Sequence, residues 1–283
     1  MSTIAPSQTP AAADRRPARP AYRVTPVRVL RSEWAKLWSL RSTWITLGLG
    51  LLFLVAFGLI AAFQFKSRIT SGRPMDRGDF ADASALSLSL FGTNFAQLAF
   101  GVLGVLVAAG EYSTGMIRST LAAVPRRLPV LWSKAAVYGV VVLLLGTVGV
   151  FVAFAADSGI LSGTRAAMTF SDAGVLRGLL GAGLYLALVG VIGVALGALL
   201  RSVAGGISVL VASLMLVPGL ISLLPSSWQD HISPYLPSNA GQAMFALHHD
   251  AATLSPAAGL AVFLLWTVLA LAGAAVRLMR SDA

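Results

Sequence analysis

No cysteine occurs in the 283 residues of this chain, which excludes disulfides, thiol nucleophiles and cysteine-ligated metals. Charge is scarce too. Charged residues make up 11% of the sequence, against about 25% in a soluble domain, and a water-facing surface cannot be covered so thinly. Several chemistries lack their motif. There is no G-x-x-x-x-G-K-[S/T] phosphate loop, so ATP binding of that kind is not expected. There is no H-E-x-x-H and no nucleophile elbow. His248-His249 with Asp250 is the one cluster that hints at a metal. Adjacent histidines point in different directions on a helix, so neither a metal nor another cofactor is expected. No catalytic residue is assigned, and the chain reads as a non-enzyme.

What is abundant is apolar sequence, 57% of the residues. It is gathered into runs near twenty long, about what a helix needs to cross roughly 30 Å of hydrocarbon. Six runs qualify: residues 44–64, 87–109, 135–156, 178–200, 203–224 and 257–276. Only a helix hides its backbone amides in lipid at these lengths. The expected fold is therefore all-α, a polytopic integral membrane bundle of six transmembrane helices. Residues 1–25, rich in Ala, Pro and Arg, read as a disordered tail with no signal-peptide pattern. Residues 26–283 form the transmembrane domain.

The net charge of +10 forms no continuous basic face, which argues against nucleic acid as a partner. The basic residues lie between the apolar runs, where membrane lipid and topology explain them. With the N-terminus inside, the inner segments hold 15 Lys and Arg and the outer segments 6. Among the outer acids this count places Asp157. Both termini are thus expected in the cytoplasm, in a multi-pass cell-membrane protein.

Three segments are apolar without spanning. Residues 25–42 open with Thr25 and Pro26, a cap and a first-turn proline. At 100° per residue, Val27, Leu30, Trp34, Leu37 and Trp38 share a stripe, and Arg28, Arg31, Ser32, Lys36 and Ser39 face away. That pattern predicts an interfacial helix; the plainer alternative is a basic flank. Residues 110–134 hold a short helix capped by Ser113 or Thr114 and ended by Pro125, or else an ordinary loop. Glu111 there needs a cation such as Arg118, another nearby base, or water. Residues 225–255 are too apolar for a free loop and too broken by proline for a span, so short helices are expected. Pro218-Gly219 predicts a kink in the fifth span.

Three groups of residues carry a family resemblance: Arg31-Ser32-Glu33-Trp34-Ala35-Lys36-Leu37 with Leu40-Arg41-Ser42; Glu111-Tyr112-Ser113-Thr114-Gly115-Met116 with Arg118, Pro125, Arg127 and Lys134; and Leu224-Pro225 with Tyr235-Leu236-Pro237. In order and spacing they resemble the permease subunits of bacterial ABC exporters of the type-2 class. The resemblance covers roughly residues 27–277. It implies an interfacial "elbow" helix containing Arg31, Glu33, Trp34 and Lys36. It also implies a short cytoplasmic coupling helix that docks on an ABC ATPase, with Glu111, Thr114, Gly115, Met116, Arg118 and Arg127 at or near the contact. Six spans make half a transporter, so the implied partners are that ATPase, which binds the ATP, and a second permease copy (a homodimer) or a related permease. The implied function is ATP-driven export of a hydrophobic or amphipathic compound, as in drug efflux.

The spans themselves hold few polar groups. Asn94, Gln97, Ser208 and Ser213 either line a pathway or bond between helices. Gly193 and Gly197 form a G-x-x-x-G pattern that permits close helix contact without locating an interface. Two other functions fit the same spans. One is an ion-coupled secondary carrier working alone. The other is a non-transporting scaffold or sensor.

Overall fold

The computed structural model describes residues 25–71, 83–124, 127–247 and 253–280. The N-terminal tail, Pro125 and the His248-His249-Asp250 cluster lie outside the described residues. Among the described residues the fold is all helix, with no strand. In chain order the helices are α1 (Pro26–Ser39), α2 (Arg41–Thr70), α3 (Ala85–Ser89), α4 (Thr93–Ser113), α5 (Met116–Ala123) and α6 (Leu128–Ile160). There follow α7 (Val175–Leu200), α8 (Val203–Val211), α9 (Val217–Ile221), α10 (Ser226–Ile232), α11 (Pro237–Ala243) and α12 (Pro256–Arg280).

Six segments are long and apolar enough to cross a membrane: Arg41–Thr70, Ala85–Ser113, Leu128–Ile160, Val175–Leu200, Val203–Ile221 and Pro256–Arg280. The chain is a multi-pass membrane protein. Each span contains or closely overlaps one of the six runs read from the sequence. The differences lie mainly at the ends. α2 and α6 run on to Thr70 and Ile160, because a helix continues after its apolar stretch ends as long as polar residues tolerate it. As a result Asp157, counted above as an outer loop acid, is inside α6 and fully buried.

α7 is the hub. It packs on α4, α6, α8 and α12, and 67% of its most apolar window is buried, against 17% for Val203–Ile221. Small residues make the hub possible. A Cβ on Gly193 would overlap the carbonyl oxygen of Gly101, and one on Gly197 would lie 2.6 Å from the carbonyl oxygen of Val105. The G-x-x-x-G pattern thus seats α7 on α4 within one chain. Gly193→Ala must push the two backbones apart, at a cost of about 1–3 kcal/mol. Thermal unfolding in detergent checks this, and an unshifted transition would show that the crossing tolerates a methyl group.

α1 starts as its sequence predicts. Thr25 Oγ1 accepts from the Arg28 amide at 3.4 Å, and Pro26 opens the first turn. The apolar stripe read from its sequence divides between the protein and the outside. Val29, Glu33 and Leu37 face the bundle, chiefly α6, while Val27, Leu30 and Trp34 are exposed. Lys36, expected to face away, turns inward. In lipid an apolar stripe needs no protein partner, whereas a carboxylate does. Trp38 lies between Trp34 and Trp44, with ring centres 5.4 and 4.4 Å away.

The break expected at Pro218-Gly219 takes the form of a π-helical turn over Ala212–Leu216, just before α9. Between the last two spans the expected short helices are α10 and α11. Arg177 at the start of α7 ties this segment down, donating to the carbonyls of Met244 (3.4 Å) and Ala246 (2.7 Å). The indole of Trp266 on α12 donates to the Tyr235 carbonyl at 3.0 Å.

Candidate functional site

Glu33, Lys36, Glu111 and Lys134 come from three helices and meet at one end of the bundle. Lys134 Nζ lies 2.6 Å from Glu33 Oε2 and 2.7 Å from Glu111 Oε1. Lys36 Nζ lies 2.6 Å from Glu33 Oε1 and 3.1 Å from Glu111 Oε1. Each lysine thus bridges both carboxylates. Both glutamates and Lys134 are buried, and Lys36 is partly open. Two positive and two negative charges cancel, which is what burial at a membrane edge requires. Glu111 Oε2 is left without a hydrogen-bond partner.

The quartet ties together parts that lie far apart in sequence. Glu33 and Lys36 lie on α1, Glu111 on the last turn of α4, and Lys134 on the second turn of α6. Lys36 Nζ also reaches Thr120 Oγ1 on α5, at 3.3 Å. Burial works to lower the pKa of Lys36. Its bonds to Glu33 and the charges of Glu33 and Glu111 outweigh that, and its ammonium is held above the ordinary lysine value. The stability this adds is complete below about pH 10, the unfolded value, and fades as pH rises through the higher folded one.

Beside the quartet, α5 forms a short shelf. The sequence offered Ser113 or Thr114 as its cap, but both hydroxyls turn back to the Gly110 carbonyl, at 3.0 and 2.9 Å. The cap is Gly115, whose φ of +73° belongs to the left-handed region that glycine enters at no steric cost. α5 is anchored through buried Ile117, while Thr114, Gly115, Met116 and Arg118 are exposed. Glu111 and Arg127 do not share that exposure. Glu111 is inside the quartet, and Arg127 donates to the Leu278 carbonyl of α12 at 3.3 Å. Arg201, in the tight link from α7 to α8, sets its guanidinium 5.2 Å from the centre of the Tyr112 ring. Of the residues expected in an elbow, Arg31 and Trp34 are exposed, and Glu33 and Lys36 turn into the quartet.

The residues offered for a pathway separate. Gln97 is buried; it accepts from the Tyr185 hydroxyl on α7 and donates to the Asn94 carbonyl at 3.0 Å. Ser213 is satisfied by the Leu210 carbonyl at 2.9 Å, and Ser208 is exposed on α8. Asn94 lines an open cavity.

Sequence reading missed Lys134 as the partner of Glu33, because 101 positions separate them. One signal was available. The chain has 18 arginines and three lysines, and two of those three are in the quartet. The lysine ammonium is a compact point charge whose three donors can serve two carboxylates at once.

Asp157 is a second anomaly, at the other end of α6. It is fully buried and neither carboxyl oxygen has a hydrogen-bond partner. Gly58 and the Ser89 carbonyl crowd the same place. A buried polar group without partners costs about 1–3 kcal/mol on the scale of protein substitutions. Asp157→Leu is therefore expected to raise the stability of the detergent-solubilised protein, and a lowered unfolding temperature would mean that the carboxyl is satisfied.

The chain matches no known family model, and it matches no curated protein.

Proposed function

We propose that this chain is the membrane-spanning subunit of an ATP-driven exporter whose ATPase is a separate protein. The observation that carries the reading is the exposed shelf of α5 locked by a buried charge quartet to α1, α4 and α6. A soluble motor needs a protruding element to push on. The membrane helices need that push passed to them by something stiffer than a loop. α5 is eight residues long, presents Gly115, Met116 and Arg118, and shares Lys36 with the quartet. The resemblance to type-2 ABC exporter permeases supports the same assignment, with α1 as the elbow and α5 as the coupling helix.

In this reading α5 and both termini are cytoplasmic, and the membrane is a bacterial cell membrane. Two copies, or one copy and a related permease, enclose the path above two ATPases. The cargo is amphipathic or hydrophobic. The test is reconstitution with a partner ABC ATPase. The complex should form, and Met116→Asp should break both the complex and ATP-dependent flux. External labelling of α5 in sealed cells would overturn the orientation.

Asp157 favours one other reading, an ion-coupled carrier, because buried membrane carboxyls serve as ion and proton sites. That reading requires gradient-driven flux from vesicles holding this chain alone, and the loss of that flux in Asp157→Asn.

A further inference from the structure

An open cavity of about 820 Å³ lies at the end of the bundle opposite the quartet. Its walls come from α3, the turn after it, the start of α4 and the segment following α11. Asn94 is 17 residues from Glu111 on one continuous helix, so the two sites are about 25 Å apart at 1.5 Å per residue. The volume is within the range of small-molecule pockets, about 300–1,000 Å³.

Its lining is of two kinds. Phe91 and Phe245 supply aromatic surface, and Asn94, Gln242, Ser84 and Ser87 supply uncharged hydrogen-bonding groups. The two amides are already oriented. Gln242 Nε2 donates to Asn94 Oδ1 at 3.2 Å, and Asn94 Nδ2 donates to the Phe91 carbonyl at 3.1 Å. Gln242 is exposed, and among the described residues its Oε1 accepts from no donor. Beneath them the Gln97–Tyr185 bond fixes α4 against α7, and Tyr185 packs directly on Gly241 of α11. The floor of the cavity is thus built before any ligand arrives. No acidic residue lines it among the described residues, and the one charged group, Arg165, is positive.

We propose that this cavity binds an uncharged, drug-sized amphipathic molecule, held by the amides of Asn94 and Gln242 through its polar group and lying on Phe91 and Phe245 through its apolar part. Its role as a cargo station rests on the export reading; the binding itself does not.

The test uses the full chain in lipid nanodiscs and radiolabelled chloramphenicol, a neutral amphipath of suitable size. One saturable site is expected. Gln242→Leu should weaken it about tenfold, the loss of one hydrogen bond left unmade. Ala246→Trp, which fills the cavity from its lining, should abolish binding. The Gln242 variant decides the matter even if the bulkier one misfolds, because its side chain is exposed. The proposal is overturned by the absence of saturable binding up to about 1 mM or by unchanged affinity in Gln242→Leu. Met116→Asp separates the two ideas. Transport that survives Met116→Asp sinks the export reading and leaves the cavity standing. Binding should be unaffected by that variant.

Discussion

Lys134→Met is expected to destabilise the protein by about 3–5 kcal/mol, the usual cost of removing one partner from a buried ion pair. The loss comes less from the missing attraction than from what is left behind. Without Lys134, Glu33 Oε2 has no partner, and Glu111 keeps only the 3.1 Å contact to Lys36. Two buried carboxylates then share one ammonium. The quartet also predicts strong non-additivity. Lys134→Met combined with Glu111→Leu removes one charge of each sign and leaves the Glu33–Lys36 pair at 2.6 Å. The double variant should therefore be more stable than Lys134→Met alone. Lys134→Arg should restore stability only in part, since Lys134 is buried with both carboxylates already at 2.6 and 2.7 Å and the bulkier planar guanidinium has to displace its neighbours. Unfolding of the four proteins in detergent measures the cycle. Simple addition of the two single losses would show that the charges act independently and that the quartet is not a unit.

Met116→Asp is expected to act in the opposite manner, leaving the fold unchanged and abolishing coupling. Met116 is 41% exposed at the first position of α5, so little packing is lost and stability should change by no more than about 0.5 kcal/mol. A carboxylate forced into an apolar docking groove costs far more. If Met116 is an anchor of the contact, affinity for the ATPase should fall by about 30-fold or more, the effect of a 2 kcal/mol hot spot. Flux and cargo-stimulated ATP hydrolysis should fall with it. Arg118→Glu, on the same exposed surface, should also weaken the complex, and more so at low salt. The readouts are pull-down affinity and flux from proteoliposomes, beside an unfolding curve that should not move. Undiminished flux with a normal complex would remove α5 as the docking element.

The sequence made the spans legible because hydrocarbon thickness imposes its length on every crossing helix. The ends were less legible. Lys66, Arg68 and Asp157 look like loop residues, yet α2 and α6 continue through them. The inward face of α1 was not legible, for a physical reason. In lipid Val27, Leu30 and Trp34 are well placed outside the bundle, so the apolar stripe does not say which side meets the protein. Glu33 and Lys36 are not well placed there, and they set the orientation. The α5 cap was readable in principle, since a glycine after Ser-Thr is the residue suited to a left-handed turn. The charge quartet and the Gln97–Tyr185 bond were not, because each joins positions dozens of residues apart and no local periodicity records such a pairing.

All four charges of the quartet lie within the first 134 residues. The ribosome has therefore delivered every member before the hub helix α7 exists. Lys134 enters the insertion machinery when Glu33 and Glu111 are already available to neutralise it. Membrane integration of the leading half can thus begin with these charges neutralised, before the glycine-lined hub on which α4 and α6 pack is added.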